Sequence, residues 1–246
     1  LRCLTGKGQQ VPSSRTLITR QPCHGQFNGV TGLALLLGIT ACQAPTSTPT
    51  SETPQALTNL RTLAERGNAA AQADLGAHYL SGSSTVQDTA EAAGWYLRAA
   101  NQGHALSQAT IADMYLNGEG VPQDGAEAAR WYRRAAEQGE ASGQYGLGYL
   151  YGVGQGVERD EVASIRWMQS AAEQGETRAQ YAMALLYASG QSVPQDDAEA
   201  GRWFRRSAAQ GDASAQHNVG VQHLWGKGVL QDDAEAVRWF RRAAAQ

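Results

Sequence analysis

The chain has 246 residues, a formal net charge of −3 and only three cysteines. Its 20 Lys and Arg residues are divided unevenly: Arg2, Lys7, Arg15 and Arg20 precede Cys42, whereas all 23 acids follow it. The remainder is therefore acidic, with Lys227 its single lysine. No basic stripe exists to displace counterions, which argues against a nucleic-acid partner.

An apolar run from Val30 to Ala41 follows a polar stretch that carries Arg15 and Arg20. Helical residues rise about 1.5 Å each, so this run falls well short of the roughly 30 Å of bilayer hydrocarbon and reads as the apolar part of an export signal. Ile39-Thr40-Ala41-Cys42 resembles the bacterial lipobox. The resemblance implies that residues 1–41 are a removable leader and that Cys42 is acylated and becomes the new N-terminus. Gln43, standing where Asp would retain a lipoprotein at the inner membrane, implies the outer membrane, facing the periplasm. Cys3 and Cys23 then leave with the leader, and no disulfide framework or cysteine metal site remains. Residues 42–56 are rich in Pro, Thr and Ser without apolar periodicity, and read as a tether.

From residue 57 onward the chain repeats itself. Trp95, Trp131, Trp167, Trp203 and Trp239 are evenly spaced, as are Gln72, Gln108, Gln144, Gln180 and Gln216, and Asp88, Asp124, Asp160, Asp196 and Asp232. Regular spacing of this order is the signature of a stacked array. Residues 57–68 form a half repeat, and full units follow at 69–104, 105–140, 141–176, 177–212 and 213–246. In each unit a first helix carries apolar or small residues at spacings of three and four, as in Ala105, Ala109, Ala112 and Tyr115. A loop then breaks the pattern: Gly118 suits a left-handed helix end, Gly120 a tight turn, Val121 the gap between helices, and Asp124 the cap of the second helix. Alanine pairs such as Ala135 and Ala136 allow close helix approach, and one Trp per unit fills the space beside them.

This constellation of loop, Asp, Trp and alanine pair resembles the Sel1-like repeats, relatives of the tetratricopeptide repeats, over residues 57–246. The resemblance implies an all-α, right-handed α/α solenoid whose first helices line a concave face. Departures are local. Ser84 and Thr85 stand for Gly and Val in the first unit, Gly152 and Met168 break the pattern in the third, Ser192 in the fourth and His223 in the fifth.

No local motif for activating a metal-bound water, a serine or a phosphate is present, and the histidines are scattered. The chain is therefore expected to be non-enzymatic, with no cofactor and no metal. The paired acids Asp196-Asp197 and Asp232-Asp233 read as helix caps. Positions that vary between units are the natural carriers of specificity. On first helices these include His78, Asp113, Met114, Tyr149, Leu150, Leu186, Asn218 and Gln222. For Leu150 and Leu186 groove and inter-unit core remain open alternatives. Trp225 is the one tryptophan off the repeat grid, aligned with Ser81, Asn117, Val153 and Ser189, and suggests contact with a partner.

The expected function is a protein- or peptide-binding scaffold or adaptor, held in the bacterial envelope through an N-terminal lipid and using its concave face. Binding of a cell-wall or exopolysaccharide chain is the alternative. Relatives linked to β-lactams carry a cysteine pair in each repeat, which this body lacks, so β-lactam hydrolysis or wall-precursor binding ranks lower. Ala236, Phe240 and Ala243 of the last unit are expected to be open to self-association.

Overall fold

The computed structural model describes residues 54–82 and 86–246; the leader, Cys42, the start of the tether, and Ser84 and Thr85 lie outside the described residues. The described residues hold eleven helices and no strand: α1 (Pro54–Glu65), α2 (Ala69–Ser81), α3 (Thr89–Asn101), α4 (Ala105–Asn117), α5 (Gly125–Glu137), α6 (Ala141–Val153), α7 (Glu161–Glu173), α8 (Thr177–Ser189), α9 (Asp197–Ala209), α10 (Ala213–Trp225) and α11 (Asp233–Ala244). Each packs on the next, so α1 is the half repeat and five helix pairs follow as an all-α solenoid. None is long and apolar enough to cross a membrane.

Helix ends follow from single residues. Gly82, Gly118, Gly154, Gly190 and Gly226 close the first helices in the left-handed conformation, which costs a glycine little because it has no Cβ. Asp88, Asp124, Asp160, Asp196 and Asp232 open the second helices, each accepting from backbone N–H groups of the first turn. Those bonds hold the exposed Asp232 carboxyl below the ordinary range, chiefly through the Glu235 N–H. The acid pairs are thus caps, as their sequence position implies.

A second loop glycine locks one unit to the one before it. Gly120, Gly156 and Gly228 have φ of 69°, 71° and 68°, and a Cβ on any of them would overlap a backbone carbonyl oxygen at the start of the preceding unit's second helix: Thr89, Gly125 and Asp197 respectively. Ser192 occupies the fourth such position at φ 62°, and its hydroxyl donates to Glu161 at 2.8 Å.

Trp95, Trp131 and Trp203 are buried, while Trp167 and Trp239 are half-buried. A guanidinium one helical turn on lies over four of the rings, Arg98 on Trp95, Arg134 on Trp131, Arg206 on Trp203 and Arg242 on Trp239, at 4.2 to 4.7 Å from the ring centroid. The third unit has Ser170 there, and Trp167 goes uncovered. Buried alanines let the helices close on one another: Ala99, Ala135 and Ala171 are fully buried.

The repeated glutamines do more than fill space. Gln108 donates its Nε2 to the Ala100 carbonyl of α3 at 3.0 Å, and its Oε1 accepts from Gln138, just beyond α5, at 2.6 Å. Gln72, Gln144, Gln180 and Gln216 make the same pair of bonds, to Ala64, Ala136, Ala172 and Ala208 on one side and from Gln102, Gln174, Gln210 and Gln246 on the other. Each buried amide thereby ties three helices from two adjacent units.

The apolar interior is not continuous. One cluster runs from Ala92 to Leu150 and another from Ala171 to Val219, and they meet at α7. That helix buries only Ser164, Ala171 and Ala172, whereas α5 buries six residues including Trp131 and Tyr132. Met168, which stands against Gly148, replaces an aromatic ring, and Gly152 faces only the small Ser164; together these account for the difference.

Candidate functional site: the inner face of the first helices

First helices of successive units reach one another directly. α4 packs on α6, the Arg178 guanidinium of α8 lies 4.6 Å over the Tyr145 ring of α6, and Asn218 of α10 donates to the Tyr181 hydroxyl of α8 at 3.3 Å. This crowding places α2, α4, α6, α8 and α10 on the inside of the stack.

Helical geometry selects which side chains line that inside. Residues 106, 110, 113 and 117 of α4 share one stripe, spaced four, three and four apart. On α6 the same stripe carries Ser142, Gly146, Tyr149 and Val153, and on α8 Arg178, Ala182, Leu185 and Ser189. Leu106, Tyr149, Val153, Leu185 and Trp225, the large exposed apolar residues of the first helices, all fall on it, Trp225 at 68% exposure. The result is an apolar strip crossing several units, the kind of surface that marks an interaction site.

The varying residues picked out in the sequence separate along this stripe. Tyr149 and Trp225 stand exposed on it, and Asp113 and Asn218 are half-buried in it. Met114 and Gln222 do not belong there, and the expectation that they contact a partner is corrected; of the two alternatives open for Leu150, it takes the core. Met114 is 2% exposed and Leu150 fully buried, both in the first core cluster, and Gln222 is buried with its Nε2 donating to the Asp197 carbonyl at 3.1 Å. The physical reason is one residue of register: a step of about 100° turns each of them off the inner stripe and into the stack, Gln222 toward α9 of the preceding unit. Leu186 sits at the same register. It packs against the second core cluster and lines a recess of about 490 Å³ beside α7, with Gly152, Ile165 and Met168. His78, also at that register, lines a recess of about 470 Å³ between α1 and α2, with Leu57, Leu60 and Asp74.

Sequence reading missed Arg178, Leu106 and Val153. Following the stripe two turns back from Asp113 and Leu185 reaches Leu106 and Arg178, and one turn on from Tyr149 reaches Val153.

Electrostatics concentrate around Asp113. Its Oδ1 accepts the Tyr132 hydroxyl of α5 at 2.5 Å. Tyr132 fits there because Gly146 of α6 leaves room; a Cβ at that glycine would run into the ring. Burial pushes the Asp113 carboxyl above its ordinary range, against the lowering effects of the Tyr132 bond and Arg178. Burial likewise raises Tyr132, and Asp113 raises it further, so the phenol stays protonated and donates. For Arg178 burial disfavours the charge, but the Glu176 carboxylate at 2.8 Å and Asp113 outweigh it, and the guanidinium is held firmly cationic.

Among the described residues, no group of three or more His, Cys, Asp or Glu fit to hold a metal occurs. What the face offers is area, aromatic rings and a few fixed polar groups.

Comparison with known proteins agrees with this architecture. The Sel1 repeat model matches residues 69–104, 105–140, 141–176, 177–212 and 213–246. A Sel1 repeat protein from Oxalobacter formigenes is 36% identical with a TM-score of 0.72, the match covering 78% of this chain and 55% of that one. The protective antigen c5321 of uropathogenic Escherichia coli strains is 34% identical with a TM-score of 0.50, over 77% of this chain and 48% of that one. A Sel1 repeat protein from Klebsiella pneumoniae is 26% identical with a TM-score of 0.53, over 77% and 92%. This chain therefore spans about half the length of the first two. No protein of curated function matches it. Five matched units, carried on the helix pairs and loop glycines described above, make the chain a member of the Sel1 repeat family.

Proposed function

We propose that this protein is a non-enzymatic scaffold or adaptor that binds another protein, or a peptide segment of one, on the inner face of its first helices. Sel1 repeats serve as protein-interaction surfaces, and one observation carries the reading to this face: Leu106, Tyr149, Val153, Leu185 and Trp225 are exposed on it while the repeat's packing positions are buried. Bulk apolar side chains left in water are costly unless a partner covers them. The test is site-specific crosslinking in the cells that make the protein, with a photoreactive residue at Tyr149 or Trp225. One protein captured from both positions, and not from an outer-face control such as Arg130, is the expected result. Capture from neither position refutes the reading.

Two further parts of the proposal rest on the sequence. Cys42 anchors the protein in the cell envelope through a lipid, facing the periplasm, and Cys42→Ser is expected to release it from the membrane fraction. The last unit supplies a self-association surface around Phe240 and Ala243, both half-buried, and light scattering of the purified chain reads that out. Exposed Tyr149 and Trp225 also suit stacking on sugar rings, so co-sedimentation with purified cell walls is the discriminating control for a polysaccharide ligand.

A further inference from the structure

Charge is sorted between the two helices of each unit. Eleven arginines lie on α3, α5, α7, α9 and α11; Arg98, Arg134, Arg206 and Arg242 cover tryptophans, and Arg130, Arg202 and Arg238 pair with neighbouring glutamates. The five first helices together carry one Lys or Arg, Arg178, against the acids Asp74 and Asp113. Glu140, Glu176 and Asp212 cap three of these helices at their N-terminal ends. Arg178 is already committed, bonded through its Nε to Glu176 and stacked on Tyr145. The inner face is therefore apolar along its middle and acidic in sum.

Asp113 is the acid set deepest in that face, where it answers the buried Tyr132 hydroxyl, a bond that an uncharged amide would also make. The same stripe position is Ala77 in α2, Tyr149 in α6, Leu185 in α8 and Val221 in α10. One carboxylate oxygen takes the Tyr132 hydroxyl; the other has no hydrogen-bond donor among the described residues. Burial works against the charge, so the folded chain carries this carboxylate at a disadvantage that a cation brought from outside would remove.

We infer that the inner face takes a basic, apolar polypeptide segment of another protein, laid across α4, α6 and α8. A Lys or Arg side chain of the segment pairs with Asp113, and its apolar side chains cover Tyr149 and Leu185. This inference rests on the scaffold reading above and specifies the partner's chemistry. Arg178 plays a second part in it, as the built-in cation that competes with the incoming one.

The full chain is panned against a phage-displayed library of random dodecapeptides. One enriched peptide is then synthesised with an amidated C-terminus and titrated by fluorescence anisotropy at low and at moderate salt. Enriched peptides are expected to combine Lys or Arg with aromatic or aliphatic residues. Asp113→Asn should weaken binding about tenfold at low salt, the scale of a charge-assisted pair. Replacing the peptide's Lys or Arg by Gln should have the same effect, and the two changes should not add. Arg178→Gln should tighten binding. Asn at 113 still accepts the Tyr132 hydroxyl, so a weakened variant with an undiminished unfolding temperature is not a misfolded one. Enrichment of acidic or uncharged peptides, indifference to Asp113→Asn, or weaker binding on Arg178→Gln overturns the inference and leaves the scaffold reading standing. A library that yields no peptide sensitive to Tyr149→Ala removes both.

Discussion

Replacing Gln108 by Ala cuts the bond pattern that joins one unit to the next, and its cost can be worked from the contacts. The side chain is 4% exposed, donates to the Ala100 carbonyl at 3.0 Å and accepts from Gln138 at 2.6 Å. Each bond contributes about 0.5 to 1.5 kcal/mol net of water's competition. No full orphan penalty is added, because the Ala100 carbonyl keeps its bond from the Gly103 N–H at 3.0 Å and Gln138 is exposed enough to rehydrate. Losing buried side-chain volume beside Ala100 and Ala136 adds about 1 kcal/mol. The sum is a loss of about 2 to 4 kcal/mol, read as a shift in the urea midpoint followed by helical circular dichroism. Because a repeat array holds together through nearest-neighbour interfaces, the transition should also broaden. Gln102→Ala, which removes the exposed partner of Gln72, should cost less than about 1 kcal/mol. If Gln108→Ala changes stability by under about 0.5 kcal/mol, or no more than Gln102→Ala does, the amides are incidental and the account of inter-unit coupling is wrong.

Gly120→Ala should destabilise by about 3 kcal/mol or more, since it combines a left-handed backbone with overlap on the Thr89 carbonyl; Gly118→Ala, which meets only the Gln123 side chain and backbone, should cost about 1 to 2 kcal/mol. Equal effects in thermal unfolding would mean that the second loop glycine is not a point of contact between units. Ser192→Gly should raise stability by about 0.5 kcal/mol, because relief of a positive φ exceeds the loss of an exposed bond to Glu161; a lower unfolding midpoint contradicts this. Asp113→Asn should stabilise the chain at neutral pH. A carboxyl whose folded pKa is raised contributes stability below its unfolded value of 3.8 and loses it as pH rises through the folded one. The advantage of Asn should therefore shrink as pH falls toward 3.8, with Tyr132, Arg178, Glu119 and Glu176 the groups that act on the site. A constant difference across that window would assign the gain to packing.

The architecture was legible because the same residues recur. A tryptophan, a glutamine and an aspartate at a fixed step leave one way to mesh helix pairs, and the loop glycines state where each helix ends. The work of the glutamines was not legible in the same way: periodicity reports that a position is constrained, but not whether a methylene or an amide meets the constraint. The candidate site was legible only in part. Variation between units singled out Asp113 and Tyr149 together with Met114 and Leu150, which are adjacent in sequence and point to different surroundings. Separating them requires the direction of the second helices on either side, and in first helices that are apolar on most sides the hydrophobic pattern does not supply it. Arg178, in the first turn of α8, is marked by no periodicity, because the other first helices carry an uncharged residue at its position.

The meeting of the two apolar clusters at α7 bears on how the inner face behaves as a whole. With Met168 for an aromatic ring and Ser170 for a covering arginine, α7 buries three residues where α3, α5 and α9 each bury six. Tyr149 stands on α6, before this helix, and Leu185 on α8, after it. A segment that covers both therefore bridges the place where the two apolar clusters meet, and joins across the inner face what the core leaves as separate clusters.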